Sequence, residues 1–228
     1  MKIKKIKDWG FFYKIFGIIL LSVFTIVLVI SFYILPSMRQ NMLKEKETAV
    51  KKVIEIGTSI ISYYEKEVAA SKISTEDAQK QALDELASVR YGDNDYFWVN
   101  DMQSRIIMHG AKPQLNGKDM SSFKDPSGKI IFNEFVKIAA DKGEGFLEYL
   151  WPKPGHSEPV SKVSYVKLFS KWGWVLGTGI YINDVDEEYA SISKDIYVLL
   201  SIIVIGLLFF TYYFAKKIVA PIAGLKKA

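Results

Sequence analysis

The chain has 228 residues, half of them hydrophobic, no cysteine and a formal net charge of +5. The lack of cysteine excludes disulfides, thiolate metal sites and cysteine nucleophiles. Residues 1–14 hold five lysines and one aspartate (+4), residues 216–228 hold four lysines (+4), and the remaining 21 Lys+Arg against 24 Asp+Glu give −3. The basic excess therefore sits at the two ends, which argues against a nucleic-acid partner and for membrane headgroups.

Residues 15–35 and 196–215 are uncharged apolar stretches. Each approximates the ~20 residues with which a helix crosses ~30 Å of hydrocarbon. Lys2, Lys4, Lys5, Lys7 and Lys14 precede the first; Lys216, Lys217, Lys226 and Lys227 follow the second. Positive flanks stay in the cytoplasm, so both ends are expected inside and the central residues outside. The first stretch exceeds the ~7–15 apolar residues of a signal-peptide core, and Phe32-Tyr33-Ile34-Leu35-Pro36 is no small-residue cleavage site. It reads as an uncleaved anchor. The expected layout is a cytoplasmic N-terminus over 1–14, spans at 15–35 and 196–215, one outer domain over 36–195, and the start of a linker over 216–228.

Beyond Pro36 the pattern turns helical. Leu43, Val50, Val53, Ile54, Gly57, Ile60, Ile61, Tyr64 and Val68 form one apolar stripe on a charged rod. A helix over 38–70 would be about 50 Å long. Ser74 with Asp77 resembles a capping box, and Ala78, Ala82, Leu86 and Val89 stripe a second helix that ends near Tyr91-Gly92. From Asp95 the residues favour strands: Tyr96–Asn100, then a turn at Asn100-Asp101 into Arg105–His109. Asp125-Pro126-Ser127-Gly128 has the order of a type I turn. Ile131, Phe135, Ile138 and Ala139 mark a short helix before Gly143. Strand-like runs follow at 145–151, 160–169 and 174–181, with Pro152-Lys153-Pro154-Gly155 as the first hairpin loop. These elements predict an α+β domain with a mainly antiparallel sheet of about five strands. After it, residues 183–186 lead to a short acidic helix and the second span, and Pro221 is placed to restart a helix.

Tyr91-Gly92-Asp93-Asn94-Asp95-Tyr96-Phe97-Trp98-Val99-Asn100-Asp101, Met108-His109 and Tyr149-Leu150-Trp151-Pro152-Lys153-Pro154-Gly155 resemble the single Cache sensory domain, type 2. So do Lys162-Val163-Ser164-Tyr165-Val166 and Trp172-Gly173-Trp174-Val175-Leu176-Gly177-Thr178-Gly179-Ile180-Tyr181. The resemblance covers roughly residues 40–190, with its motifs in the family's order. The residues around Pro221 and Leu225 resemble the opening of a HAMP linker. The resemblance implies a PAS-like Cache fold, in which a long N-terminal helix backs a five-stranded antiparallel sheet. It also implies an extracytoplasmic sensor in a bacterial inner or plasma membrane, as in methyl-accepting chemotaxis proteins, histidine kinases and cyclic-dinucleotide enzymes. Its expected ligand is a small carboxylate of the acetate, propionate, pyruvate or lactate class. A homodimer, a downstream signalling module and no cofactor are expected with it. Many members read Met-His-Pro, whereas Gly110 follows His109 here.

A carboxylate pocket needs donors for two oxygens and an apolar wall for a short tail. His109 ends a strand-like run and reads either as structural or as a ligand donor. Tyr149 and Trp151 share one strand face, as do Tyr96 and Trp98; each pair lines a pocket or packs the core. Lys162 and Tyr165 both belong to the motif, yet their odd separation puts them on opposite faces unless a bulge intervenes. Arg90 pairs with a carboxylate or caps a helix end, and His156 is expected in solvent. A ligand of four to six heavy atoms at ~1.5 kcal/mol per atom reaches ~6–9 kcal/mol, or dissociation constants from tens of micromolar to just under one.

Two histidines, no cysteine, no nucleophile elbow and no metal-binding His pair leave no catalytic constellation or metal site in view. A membrane scaffold presenting the outer domain to another protein is the rival to a sensor. No kinase, cyclase or methylation helix is read in these residues, so the output is expected from a longer form of the protein or from a partner.

Overall fold

The computed structural model describes residues 11–92, 94–214 and 217. The expectations placed on Pro221, Leu225 and most of the terminal lysines lie outside these residues. The chain divides into two units, residues 41–186 and the combination of 1–40 with 187–228.

The second of these holds the apolar helices. Helix α1 (Phe11–Val29) runs into a π-helical turn at Ile30–Ile34 and then into helix α2 (Leu35–Ala69). Pro36 has no N–H to return to the carbonyl four residues earlier, which accounts for the widened turn just before it. Helix α5 (Ile182–Phe214) is uninterrupted, so the acidic segment and the second apolar stretch form one helix rather than two. Large apolar side chains point outward from both apolar helices, among them Leu21, Phe24, Phe32, Ile202, Phe209 and Phe210. Both helices are long and apolar enough to cross a bilayer. Within this unit Tyr197 donates to Ser31 Oγ at 3.2 Å.

Residues 41–186 form an α+β domain. Helix α3 (Thr75–Ser88) starts at Ser74, whose Oγ accepts the Asp77 N–H at 3.0 Å. Five strands follow: β1 (Trp98–Asp101), β2 (Ile106–His109), β3 (Glu144–Pro152), β4 (Pro159–Phe169) and β5 (Trp174–Tyr181), with helix α4 (Ile131–Lys142) between β2 and β3. The sheet order is β2-β1-β5-β4-β3, and every neighbouring pair is antiparallel. The β3–β4 loop is longer than the four-residue turn expected, because the strands stop pairing at Pro152 and Pro159.

The sheet has two differently covered faces. On one, Val50, Ile54 and Ile61 of α2 and Ala82 and Leu86 of α3 pack on Phe97, Val99, Met108, Tyr165, Trp174 and Leu176. Gly57 lets α2 approach closely, since a Cβ there would lie 2.9 Å from both Leu176 Cδ2 and Phe97 Cε1. On the other face, Ile131, Phe132, Phe135 and Ala139 of α4 pack on Trp98, Ile106, Tyr149, Trp151, Val166 and Val175. The turn at Asp125 closes as the sequence implies, with Gly128 N–H donating to Asp125 O at 2.8 Å. Asp125 also accepts the Leu150 N–H at 3.0 Å, which ties this turn to β3.

Candidate ligand-binding site

The face under α4 carries an enclosed polar cluster. Strand register builds it: Lys162 lies opposite Tyr149 on one side and Tyr181 on the other, and Trp98 lies between His109 and Gly177. Gly177 makes room for the indole, because a Cβ there would come within 2.2 Å of Trp98. Tyr96 precedes β1 in irregular backbone, and Thr178 Oγ1 fixes it by donating to its carbonyl at 2.7 Å.

Lys162 is fully buried, at 0% exposure. Its ammonium donates to Tyr96 OH at 3.2 Å and to Tyr181 OH at 3.5 Å. It also lies 4.3 Å from the centre of the Tyr96 ring, 4.6 Å from that of Tyr181 and 5.9 Å from that of Trp98. Among the described residues no carboxylate is within ion-pairing distance of it. A buried charge with only hydroxyl and aromatic partners is costly, and an incoming anion would offset that cost.

Aromatic rings continue from this cation. The Tyr96 ring is 4.8 Å from that of His109, which stacks on Trp151 at 5.9 Å. Burial, followed by the Lys162 and Lys112 charges, holds the His109 pKa down to about 3, so the ring is neutral at ordinary pH. Its Nδ1 accepts the Lys112 N–H at 3.0 Å, which leaves the proton on Nε2 as a donor. Trp151 Nε1 is buried without an acceptor among the described residues. The Trp98 indole N–H, by contrast, is taken by Asn100 Oδ1 at 3.1 Å. Tyr149 OH and Ser164 Oγ are paired at 3.0 Å, and burial raises the Tyr149 pKa. Phe123, Phe132 and Phe135 close the outer side through contacts with Trp151 and Tyr149. One cation, two N–H donors and aromatic walls are the groups with which a small anion could be held. Among the described residues no three His, Asp or Glu side chains are placed to hold a metal.

The structure thus gathers Tyr96, Trp98, His109, Tyr149, Trp151 and Lys162. It does not bring Tyr165 to them. Strand β4 pairs with both neighbours without a bulge, so Tyr165 faces the helices, its ring 4.5 Å from Phe146 and under the Lys51 ammonium. Arg90 is spent on backbone: its guanidinium donates to the carbonyls of Ala87, Val89 and Gly110 at 2.8, 2.7 and 2.5 Å. It caps α3 and pins the residue after His109. His156 is exposed, as expected. Tyr181 and Lys112 were not among the residues the sequence put forward. Both end or follow strands, and neither carries a local pattern that distinguishes it from a packing or surface residue.

Residues 42–195 match the family described as Single Cache domain 2. The methyl-accepting chemotaxis protein McpP of Pseudomonas putida is 38% identical over 178 residues, which are 78% of this chain and 33% of that protein. The sensor histidine kinase MctS of Rhizobium johnstonii is 33% identical over 158 residues, 69% of this chain and 33% of that protein. The chain therefore spans about a third of the length of these curated relatives. A solved structure described as the basis for carboxylic acid recognition by a Cache chemosensory domain is 45% identical, with a TM-score of 0.60 over 62% of this chain and 97% of that one. The backing helix, the five-stranded antiparallel sheet and the match over residues 42–195 lead to one conclusion: this chain belongs to the Single Cache domain 2 family of sensor domains.

Proposed function

We propose that this chain is the sensing part of a two-span bacterial receptor that binds a short-chain carboxylate in its Cache domain and signals across the membrane. The observation that carries the reading is Lys162, fully buried and without a counter-ion among the described residues. A ligand carboxylate supplies that counter-ion, and Trp151 Nε1 and His109 Nε2 are the donors for its oxygens. The ligand's tail is a few carbons long in this reading, as in acetate, propionate, pyruvate or lactate. The carboxylic acid recognition described for the 45% identical domain supports this ligand class.

Residues 36–195 lie outside the membrane in this reading, with both termini in the cytoplasm and a second copy as partner. The output module is a chemoreceptor signalling domain, as in McpP, or a kinase, as in MctS. Ligand binding moves the receptor between two states only through its differential affinity for them. Isothermal calorimetry of the full chain in nanodiscs against a carboxylate panel is the test. Dissociation constants of about 1–50 µM are expected from ligand size. No heat with any carboxylate sinks the ligand class. Topology is tested separately: a cysteine at Ser157→Cys should react with an impermeant maleimide in intact cells, and one at Lys226→Cys should not.

A further inference from the structure

Lys112 stands beside the cluster without touching Lys162. Its backbone N–H sets the His109 tautomer, while its side chain reaches Trp151, with Nζ 5.1 Å from the centre of that ring. It is partly exposed where Lys162 is fully buried. Among the described residues its Nζ has neither a carboxylate nor a hydrogen-bond acceptor. Burial lowers its pKa, and the neighbouring Lys162 charge acts in the same direction while Tyr96 opposes it.

The two cations therefore occupy the two ends of one aromatic path. Lys112 lies on Trp151, Trp151 stacks on His109, His109 meets Tyr96, and Tyr96 carries Lys162. No anion among the described residues pairs with either end. A partly solvated cation at the rim attracts an anion from water but holds it weakly. A desolvated one within holds it strongly. Resting on the carboxylate reading above, we propose that Lys112 is the capture residue of the site. It draws the ligand carboxylate to the rim and sets the association rate, while Lys162 holds the bound ligand. The Lys112 ammonium makes no bond to the bound carboxylate.

Stopped-flow tryptophan fluorescence with propionate tests this on the full chain in nanodiscs of zwitterionic lipid. Lys112→Met should slow association about threefold at low salt, as one charge several ångströms away in water implies. It should also flatten the salt dependence of that rate and leave dissociation unchanged. Lys112→Arg should behave as wild type, and Lys112→Gln should repeat the Met result if packing on Trp151 is not the cause. Faster dissociation with unchanged association makes Lys112 a contact of the bound ligand and overturns the proposal. Unchanged rates overturn it as well. Wild-type propionate binding that survives in Lys162→Met removes the carboxylate reading itself, and this proposal with it.

Discussion

Lys162 Nζ and the Tyr96 side chain meet twice, by hydrogen bond at 3.2 Å and through the ring face at 4.3 Å. One tyrosine thus solvates a fully buried ammonium with both its hydroxyl and its π-system. Tyr181 does the same and donates its own hydroxyl hydrogen bond to Pro152 O at 3.0 Å. The cation is held in place by groups that soften its burial without neutralising it.

Replacing that cation separates binding from stability. Lys162→Met keeps the stem and removes the charge, so carboxylate binding should fall at least a hundredfold by calorimetry. The fold should lose nothing and gain up to about 1–4 kcal/mol, since an apolar side chain replaces a buried charge that no anion among the described residues compensates. A thermal melt showing strong destabilisation would mean that Lys162 is a structural post of the sheet.

Trp151→Phe tests the orphaned donor. The ring stack with His109 survives, and only the N–H, which has no acceptor among the described residues, is lost. A hydrogen bond to a charged group contributes about 1.5–3 kcal/mol, so carboxylate affinity should drop about 10- to 100-fold with little change in melting temperature. Unchanged affinity with a lowered melting temperature would assign the indole to packing alone.

The contrast between Lys162 and Tyr165 shows how much of the site alternation can fix. Period-two geometry places Tyr149 with Trp151 and sends Tyr165 away from Lys162, and the bulge-free register of β4 has both features. Alternation does not say which face becomes the site; that follows from α4 and its two phenylalanines covering one side while α2 and α3 cover the other. Nor can it find Tyr181, whose place opposite Lys162 depends on the β4–β5 register. Arg90 shows the remaining limit. A guanidinium near a motif histidine looks like a ligand donor, but three backbone carbonyls at the end of α3 and at Gly110 take it up. Helix and strand positions were legible because turns, caps and periodicity are local; the helix that absorbs residues 182–195 was not, because its acidic first turns mask the continuity.

Gly177→Ala tests the room made for Trp98. A new Cβ 2.2 Å from the indole forces the ring to move, and with it the wall beside Lys162 and the bond to Asn100. Overpacking of this kind costs about 1–3 kcal/mol, and carboxylate affinity should fall with it. Gly155→Ala is the control, since nothing lies within 4 Å of its Cβ position; it probes backbone strain at φ +78° in the β3–β4 loop. Equal effects of the two on binding would remove the steric explanation.

His109 gives the stability curve a sign. Its imidazole titrates near 6.5 when unfolded and at about 3 in the fold, where burial and then the Lys162 and Lys112 charges disfavour the cation. Between these values the unfolded chain binds a proton that the folded chain refuses, so stability rises with pH. The contribution is complete above about pH 6.5 and is lost progressively as pH falls toward 3, at no more than about 1.4 kcal/mol per pH unit. Urea melts at about pH 5 and about pH 7 should therefore differ more for wild type than for His109→Gln, which carries no titrating ring. A carboxylate beside Nε2–H favours the imidazolium, so the His109 pKa should rise in the propionate complex, read by an NMR titration of its ring. Identical slopes for wild type and His109→Gln would show that His109 does not titrate as a buried neutral ring.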